Sequence, residues 1–594
     1  MKRLCRIDKE KSIDEQHKRI QDQPASQQYF ETIKKMKNKK KPQRKGWNIK
    51  AEDGSIITER DEVIKRWKEF YQDLYSDIRT SHLIREGIGE TSQIPCITIT
   101  ELTRAISQLN ANKAQGPDGI SCEMFKHGGD SLHKVLLKLM NEIVRGDILP
   151  DAFNQSEIIL IHKKGSRLDC GNYRPISLLS HGYKLLMQIL YNRISSTLCD
   201  ILPQTQAAYQ KGRSTIEQIQ CLQQIIEKTL EFNKECFICF VDFRKAFDSI
   251  KQDKLWAALL QHTDLDEAYV TLLINVYAVS KTRIRTDAGL TTLIELLKRT
   301  KQGDLLSAIL FCVALAIIFS KTFEGITPGV SIGGEVFCDF AYADDAALVT
   351  EDEASMCELM TKLNDNAMEF GLEINFDKTK LMFVGKDRIY QEEYMTLAGQ
   401  RVDIVSSFEY LGRIISNNGD DTLAVEARIC KAWQAFQNHK HLITSNHLSF
   451  SSKRKVYETY VRPVVLYAME TIVWKPPLVQ KITVFQNHIM RWITGHRLID
   501  RVSISDLQQQ TGLEPIINII KKQKMSWFGH MKRSVLPIRT VFEGMVNGTR
   551  RRGRPQRRWR TDIEEWSEMS WTQINRAVHD RDIWRNICSN FLEF

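Results

Sequence analysis

Two adjacent carboxylates, Asp344 and Asp345, stand between the short apolar runs Phe340-Ala341-Tyr342-Ala343 and Ala346-Ala347-Leu348-Val349. The pattern predicts a strand, a tight turn and a second strand. Asp forms turns readily, so read alone the pair is an exposed, solvated turn. A third carboxylate gives it another meaning. Asp242 follows Cys236 to Val241, six apolar residues that predict a strand buried on both faces. An Asp ending such a strand must be paired, bound to metal or open to a cleft; a helix N-cap would fall more naturally on Asp248 or Asp253. Converging carboxylates cannot all stay ionised without compensating charge. Two hard divalent cations supply it, since Mg²⁺ takes carboxylate oxygens and keeps water and substrate phosphates as its other ligands. Such a pair of ions, about 3.5–4 Å apart, clamps the attacking and leaving oxygens of an in-line phosphoryl displacement. The protein then has little to do beyond positioning and charge stabilisation.

The elements that must position these groups can be read around them. Ile158-Ile159-Leu160-Ile161 predicts a buried strand, ended by His162-Lys163-Lys164-Gly165 and followed by Asn172-Tyr173-Arg174-Pro175-Ile176-Ser177-Leu178. Cations at the ends of apolar elements are well placed for phosphates, though an ordinary strand-end lysine looks the same. Helices are predicted over 183–200, from Ile216, over 305–319, and over Met356 to Ala367, the last stopped by Gly371. Gly303, just before the long apolar helix, allows another backbone or a base to come close. Earlier, Trp67, Phe70, Tyr71 and Leu74 recur at helical spacing, and Thr100 is the expected N-cap for Leu102, Ile106 and Leu109. The loop Asn112 to Ile120 could present backbone amides and Lys113 to a phosphate backbone, or be a plain turn. From about 420 onward the pattern is helical. Alternating helices and short strands over 100–415, then helices alone, describe an α+β catalytic body with a helical appendage.

At 594 residues the chain has room for three or four domains or subdomains. Its net charge of +11 is concentrated in two runs, Lys34 to Lys45 and Arg550 to Arg560, which read as solvated segments or nucleic-acid contacts. The cysteines lack paired spacing, and Cys236 and Cys239 read as buried thiols in a reducing compartment rather than a zinc knuckle. The N-terminal residues have no apolar core of a secretory signal. The uncharged run Leu305 to Phe319 is shorter than the roughly 20 residues a membrane span needs, so no membrane partner is expected.

In order and wording the motifs resemble the reverse transcriptase of non-LTR (LINE-type) retrotransposons. Asn172 to Leu178 resembles N-Y-R-P-I-S-L, and Gln206 to Thr215 resembles Q-x-G-F-x-x-G-R-S-T. Phe240 to Asp248 resembles F-x-D-F-x-K-A-F-D, and Gln302 to Ser307 resembles Q-G-D-P-L-S. Phe340 to Leu348 resembles F-A-D-D-x-x-L, Gly371 to Lys380 resembles G-L-x-I-N-x-x-K-T-K, and Phe408 to Gly412 resembles the primer-grip F-x-Y-L-G. Together these span about 110–415. The resemblance implies a right-hand polymerase of fingers, a palm with an antiparallel sheet, and a thumb, followed by a helical basic C-terminal region. The corresponding boundaries are an N-terminal extension over 1–99, fingers over 100–235, palm over 236–416, helical thumb and connection over 417–530, and a Trp/Arg-rich tail over 531–594.

It also implies roles. Asp242, Asp344 and Asp345 would hold two Mg²⁺, with Mn²⁺ as an alternative ion, helped by the Phe243 carbonyl. Lys163 or Lys164, Arg174 and Arg213 would meet the incoming triphosphate. Phe247 would be the aromatic gate against a 2′-hydroxyl, with Gln302 and Gly303 lining the nucleotide and template side. Lys378 would be a proton donor to pyrophosphate, or merely a surface lysine. Lys113 and Tyr410 would touch nucleic acid; Arg552 and Arg554, flanking Gly553, read either as a disordered solubilising tail or as nucleic-acid contacts that enter an A·T-rich minor groove. The implied partners are an RNA template, a DNA primer, deoxynucleoside triphosphates and an endonuclease supplied in trans, within the nucleus and cytoplasm. The chain departs from the family at Arg299-Thr300-Lys301, at Leu305 and Ala308 in place of prolines, and at Tyr209. With no room for an endonuclease before residue 54, it reads as a truncated copy. The competing expectation is a decayed relic that binds RNA or DNA without polymerising.

Overall fold

The computed structural model describes residues 47–76, 94–146, 149–163, 165–296, 303–385, 392–550 and 556–589. The N-terminal basic run, Lys164, Arg299 to Gln302, Arg552 and Arg554 lie outside these residues.

Cys236–Val241 is a strand with every residue buried. Asp345–Thr350 flanks it on one side and Lys380–Val384 on the other, both antiparallel. Asp339–Tyr342 lies outside the first, and Gln400–Ile404 and then Tyr394–Leu397 lie outside the second, giving a six-stranded sheet. The pleat sends alternate side chains to opposite faces. Phe237, Cys239 and Val241 enter a core shared with the helices Leu305–Phe323 and Glu353–Glu369. Cys236, Ile238 and Phe240 enter another with Thr215–Glu231 and with Phe528 and Trp559 from the C-terminal region. Burial on both faces is why the strand is apolar throughout. It also pushes the free thiols of Cys236 and Cys239 up to about 12.

The long apolar helix runs on to Phe323, four residues past the uncharged run. It is thereby long and apolar enough to cross a membrane, but 78% of its most apolar window is buried inside the protein. Its hydropathy is accounted for by its place in the core.

A second sheet has Gln155–His162 at its centre, antiparallel to Tyr173–Leu178 and parallel to Lys281–Arg285. The helix Arg60–Tyr75 packs on it through Trp67, Tyr71 and Tyr75, with Trp67 edge-on to Tyr173 at 5.2 Å. The helix Ile99–Gln108 is capped by Thr98, not Thr100. Thr98 accepts from the Glu101 amide at 3.3 Å and Glu101 accepts from the Thr98 amide at 2.9 Å. The reciprocal Thr-x-x-Glu pair satisfies two orphan amides, which Thr100 cannot do.

The C-terminal half is helical, and a buried polar network ties it to the sheet. Lys524, wholly buried, donates to the Ile472 carbonyl at 2.7 Å and to Asp562. Asp562 also accepts from the Trp474 amide at 2.9 Å and from Arg557. Three residues before Asp562, the Trp559 amide donates to Glu227 on the helix Thr215–Glu231 at 2.8 Å. Removing one partner of a buried ion pair leaves the other uncompensated. Lys524→Ala is therefore expected to lower stability by about 3–5 kcal/mol, read from the urea midpoint. Lys524→Met with Asp562→Asn should lose much less than the sum of the two single changes.

Candidate active site

The sheet register brings the carboxylates together. Val241 faces Ala346, so one further step on each strand places Asp242 and Asp345 at the same end of the sheet. Tyr342 pairs with Asp345, leaving Ala343 and Asp344 as a two-residue turn. Ala343 has φ of +55°, a left-handed conformation that a residue with a Cβ seldom adopts. Gln206, a buried side chain, clamps it. Its Oε1 accepts from the Ala343 amide at 2.9 Å and from the Ala208 amide at 3.0 Å, and its Nε2 donates to the Ala343 carbonyl at 3.3 Å. On either side, Ala341 donates to the Thr205 carbonyl and accepts from the Ala207 amide, each at 3.0 Å. The Asp242 backbone is fixed by Thr379 Oγ1, which accepts its amide at 3.3 Å, and by the Asn375 amide, which donates to its carbonyl at 2.7 Å.

Burial, and then the charge of Asp242, pushes the Asp344 carboxyl up, opposed by Arg174 and Lys163. Asp345 is pushed up to about 6 by burial, then by Asp344 and Asp242. Lys378 Nζ stands 3.0 Å from Asp242 Oδ2, supplying one compensating charge. Burial lowers Lys163, as do Arg174 and Lys378, against the pull of Asp248 and Asp344.

The carboxylates lie between two cavities. A larger one of about 690 Å³ holds Asp242, Asp345, Lys378, Thr215 and the Phe408 to Gly412 hairpin on its walls. A smaller one of about 120 Å³ is lined by Asp344, Lys163, Arg174, Lys245, Phe247 and Asp248. Asp344 thus faces a pocket rich in cations, and its two partners face an open groove. Among the described residues no three His, Cys, Asp or Glu side chains form a ready-made metal cluster. The donor chemistry still fits hard divalent cations. Oxygen donors gather from two strand ends, and Asp344 and Asp345 resist ionising unless positive charge joins them.

Lys163 and Arg174 border the small cavity, beside Phe247, which stacks on Phe311 at 4.1 Å. Gly303 has φ of +123°, and a Cβ there would lie 2.9 Å from the Ser177 carbonyl oxygen; only glycine fits. The Phe243 side chain is buried, with its backbone bridged to Ile374. Lys113 is exposed on its loop, where Gly116 packs on the Ser180 backbone.

Two expected residues serve the fold instead. Arg213 is folded back into the protein, its guanidinium held by Glu217 one helical turn on and by the Gln204 carbonyl at 2.6 Å. It has no fork left for a triphosphate. Tyr410 is buried, and its hydroxyl donates to the Phe340 carbonyl at 2.9 Å. It props the strand carrying the turn through its hydroxyl, while the residue itself borders the larger cavity. Gln206, Lys245 and Asp248 were given no role at the site from sequence, although Gln206 opens a quoted motif and Asp248 was an N-cap candidate. The last two sit inside the motif that holds Asp242, so a signal existed. Gln206 reaches Ala343 across 137 residues, beyond any local pattern.

Residues 161–415 match the family model described as "Reverse transcriptase (RNA-dependent DNA polymerase)". Among curated proteins, the chain is 26% identical over 424 residues to the "Probable RNA-directed DNA polymerase from transposon BS" of Drosophila melanogaster, covering 67% of this chain and 44% of that protein. It is 24% identical over 416 residues to the "RNA-directed DNA polymerase from mobile element jockey" of Drosophila funebris, with the same coverage of each. It is 24% identical over 353 residues to the "Transposon TX1 uncharacterized 149 kDa protein" of Xenopus laevis, covering 57% of this chain and 27% of that protein. The chain thus spans between about a quarter and somewhat under half the length of these relatives.

Proposed function

Because residues 161–415 make this chain a member of the reverse transcriptase family, of the non-LTR retrotransposon kind, we propose that it extends a DNA primer on an RNA template. The observation that carries this reading is the division of the three carboxylates between a cation-lined pocket and an open groove. A triphosphate suits the first and a primer end the second.

In this reading the sheet around Cys236–Val241 is the palm over 236–416, the fingers over 100–235 supply Gln155–His162 and Tyr173–Leu178 of the cation-bearing sheet, which Lys281–Arg285 extends from outside that range, and the helices over 417–530 form the thumb and connection. Asp242, Asp344 and Asp345, with the Phe243 carbonyl, would hold two divalent cations, Mg²⁺ by the hardness of the donors, whose charge activates the primer 3′-hydroxyl and offsets charge on the phosphates. Lys163 and Arg174 bind the triphosphate and neutralise it as charge moves onto the pyrophosphate. Lys378, paired with Asp242 at rest, is an ammonium within reach of the reacting end and holds the proton that pyrophosphate takes up. Phe247, braced on Phe311, closes the pocket on the sugar side. Leu305 replaces a family proline at the first position of its helix. That position needs no intrahelical amide partner, so the change leaves the helix start intact.

The test is primer extension by the purified chain on poly(A)–oligo(dT) with dTTP and Mg²⁺, beside Asp344→Ala. Extension by the wild type that the variant lacks supports the reading. Wild-type protein that binds template–primer yet never extends it refutes it and leaves an inert nucleic-acid binder. Phe247→Ala is expected to cut discrimination against ribonucleotides by about a hundredfold, the scale of rejecting one added hydroxyl, measured as the ratio of dTTP to UTP incorporation efficiency.

A further inference from the structure

Away from the carboxylates, the helices Ile516–Lys532 and Arg581–Ser589 face each other across a concavity of about 470 Å³. Lys522, Ser526 and His530 come from one helix at successive i+4 steps, and Arg581 and Arg585 come from the other. Arg533, at the C-terminal cap of the first helix, completes the ring. Among the described residues, no carboxylate lines this space. Of the acids on the second helix, Asp582 pairs with Arg585 at 2.9 Å on the outer surface, and Asp580 caps the helix through the Asp582 and Ile583 amides.

The convergence of charge is built in, not incidental. Trp584 forms the floor, its Nε1 donating to the Met525 carbonyl at 2.9 Å. It fits because residue 529 is glycine; a Cβ there would lie 2.4 Å from the indole. Arg533 is anchored by the Val578 carbonyl, and burial and Arg581 both oppose its charge. Four cations thus line one concavity, with Arg581 opposing the charge of Arg533 and the hydroxyls of Ser526, Ser534 and Ser589 among them. Such an arrangement is matched by an extended polyanion that offers several acceptor oxygens at once. Its position favours nucleic acid over a membrane. His530 on its rim acts electrostatically on Glu217, in the first turn of the helix Thr215–Glu231, and Thr215 of that turn lines the groove beside Asp242 and Asp345.

We propose that this concavity is a second nucleic-acid site, which grips the phosphodiester backbone of template–primer away from the reacting atoms. Only the identity of the ligand rests on the polymerase reading. The phosphates would lie across Arg581, Arg585 and Lys522, over the Trp584 floor. The test uses the full chain and fluorescence anisotropy with a labelled RNA–DNA template–primer, without nucleotide or divalent metal, across a series of KCl concentrations. Arg581→Gln/Arg585→Gln changes two exposed side chains, and an unchanged urea midpoint certifies its fold. The expected result is a Kd raised at least tenfold at 150 mM salt and a log–log salt slope shallower by about 1.4–1.8, the release of about two counterions; Lys522→Gln should reduce the slope by about half as much. Unchanged affinity and slope would overturn the proposal. So would a double variant that loses pyrophosphate binding, or binding to phosphatidylserine vesicles, while keeping its grip on template–primer. The same comparison in an Asp344→Asn background separates the two readings. If extension is lost there but the slope difference remains, the second site stands apart from catalysis. If the wild type binds but never extends, the polymerase reading falls and the second site remains.

Discussion

Asp344→Asn is expected to reduce single-turnover primer extension by on the order of 10³-fold or more, while the metal-free protein becomes no less stable. The two halves of this expectation come from one feature. Asp344 is held partly buried, where burial and then the charge of Asp242 raise its cost of ionising, and Asp344 and Asp242 in turn raise that of Asp345. That cost is useful when cations and a triphosphate arrive, and is a burden when they are absent. Asparagine keeps the shape of the turn and removes one negative charge. Asp345 has an ordinary value of 3.8 and a folded value of about 6. Its penalty therefore sets in as pH rises from about 4 to about 6 and is complete above that. Relief by Asp344→Asn should follow the same window, with a higher Tm in chelator at pH 8 and no difference near pH 4. A variant that loses many degrees at pH 8 would show instead that Asp344 supports the fold.

The second large effect is expected at Gln206→Leu. The leucine fits a buried site of similar size but returns none of the three hydrogen bonds that Gln206 makes with Ala343 and Ala208. Buried amides left unpaired cost about 1–3 kcal/mol each before relaxation. The left-handed Ala343 costs about 1–2 kcal/mol on its own and would no longer be held. The turn should relax and re-aim Asp344 and Asp345. Displacement of a catalytic group by about 1 Å costs on the order of 10²-fold, so kcat for extension should fall by about that much. Template–primer affinity should stay within twofold, because Gln206 itself is not on a wall of the groove and the basic lining is unchanged. Glycine takes positive φ without strain, so Gln206→Leu/Ala343→Gly should recover part of kcat. Loss of kcat and affinity together, with no recovery by the glycine, would mark Gln206 as a packing residue only.

These two positions also show what a sequence does and does not disclose. Asp344 and Asp345 were legible because a turn between apolar strands has a local signature, and Cys236–Val241 because a strand covered on both faces can tolerate no polar residue. Arg213 was legible in principle. Glu217 follows it at i+4, a spacing that pairs charges on one helix face, and this pairing draws the guanidinium away from the pocket. Tyr410 could not be told from a surface aromatic in its motif. Whether a tyrosine at a hairpin turns inward depends on an acceptor elsewhere, here the Phe340 carbonyl. Gln206 lay further out of reach. A glutamine has no periodicity of its own, and its role exists only once two segments 137 residues apart are packed together. Composition sets a strand's burial; long-range polar pairing is set by topology.

The stitch between Trp559 and Glu227 has a consequence for how the protein is made. Glu227 is half-buried, its carboxyl raised to about 7 by desolvation, and its backbone donor lies 332 residues later in the chain. Lys524 likewise waits for Asp562. Trp559 and Asp562 leave the ribosome only after every residue of the carboxylate turn has emerged. A nascent chain that has emitted every residue of the carboxylate turn still carries an unmatched acid beneath its sheet, and an open apolar face where Trp559 and Trp584 will dock. Polypeptides that stall or are clipped before about residue 560 should therefore hold the whole reaction centre in sequence and still be cleared by chaperones and proteases as unfinished.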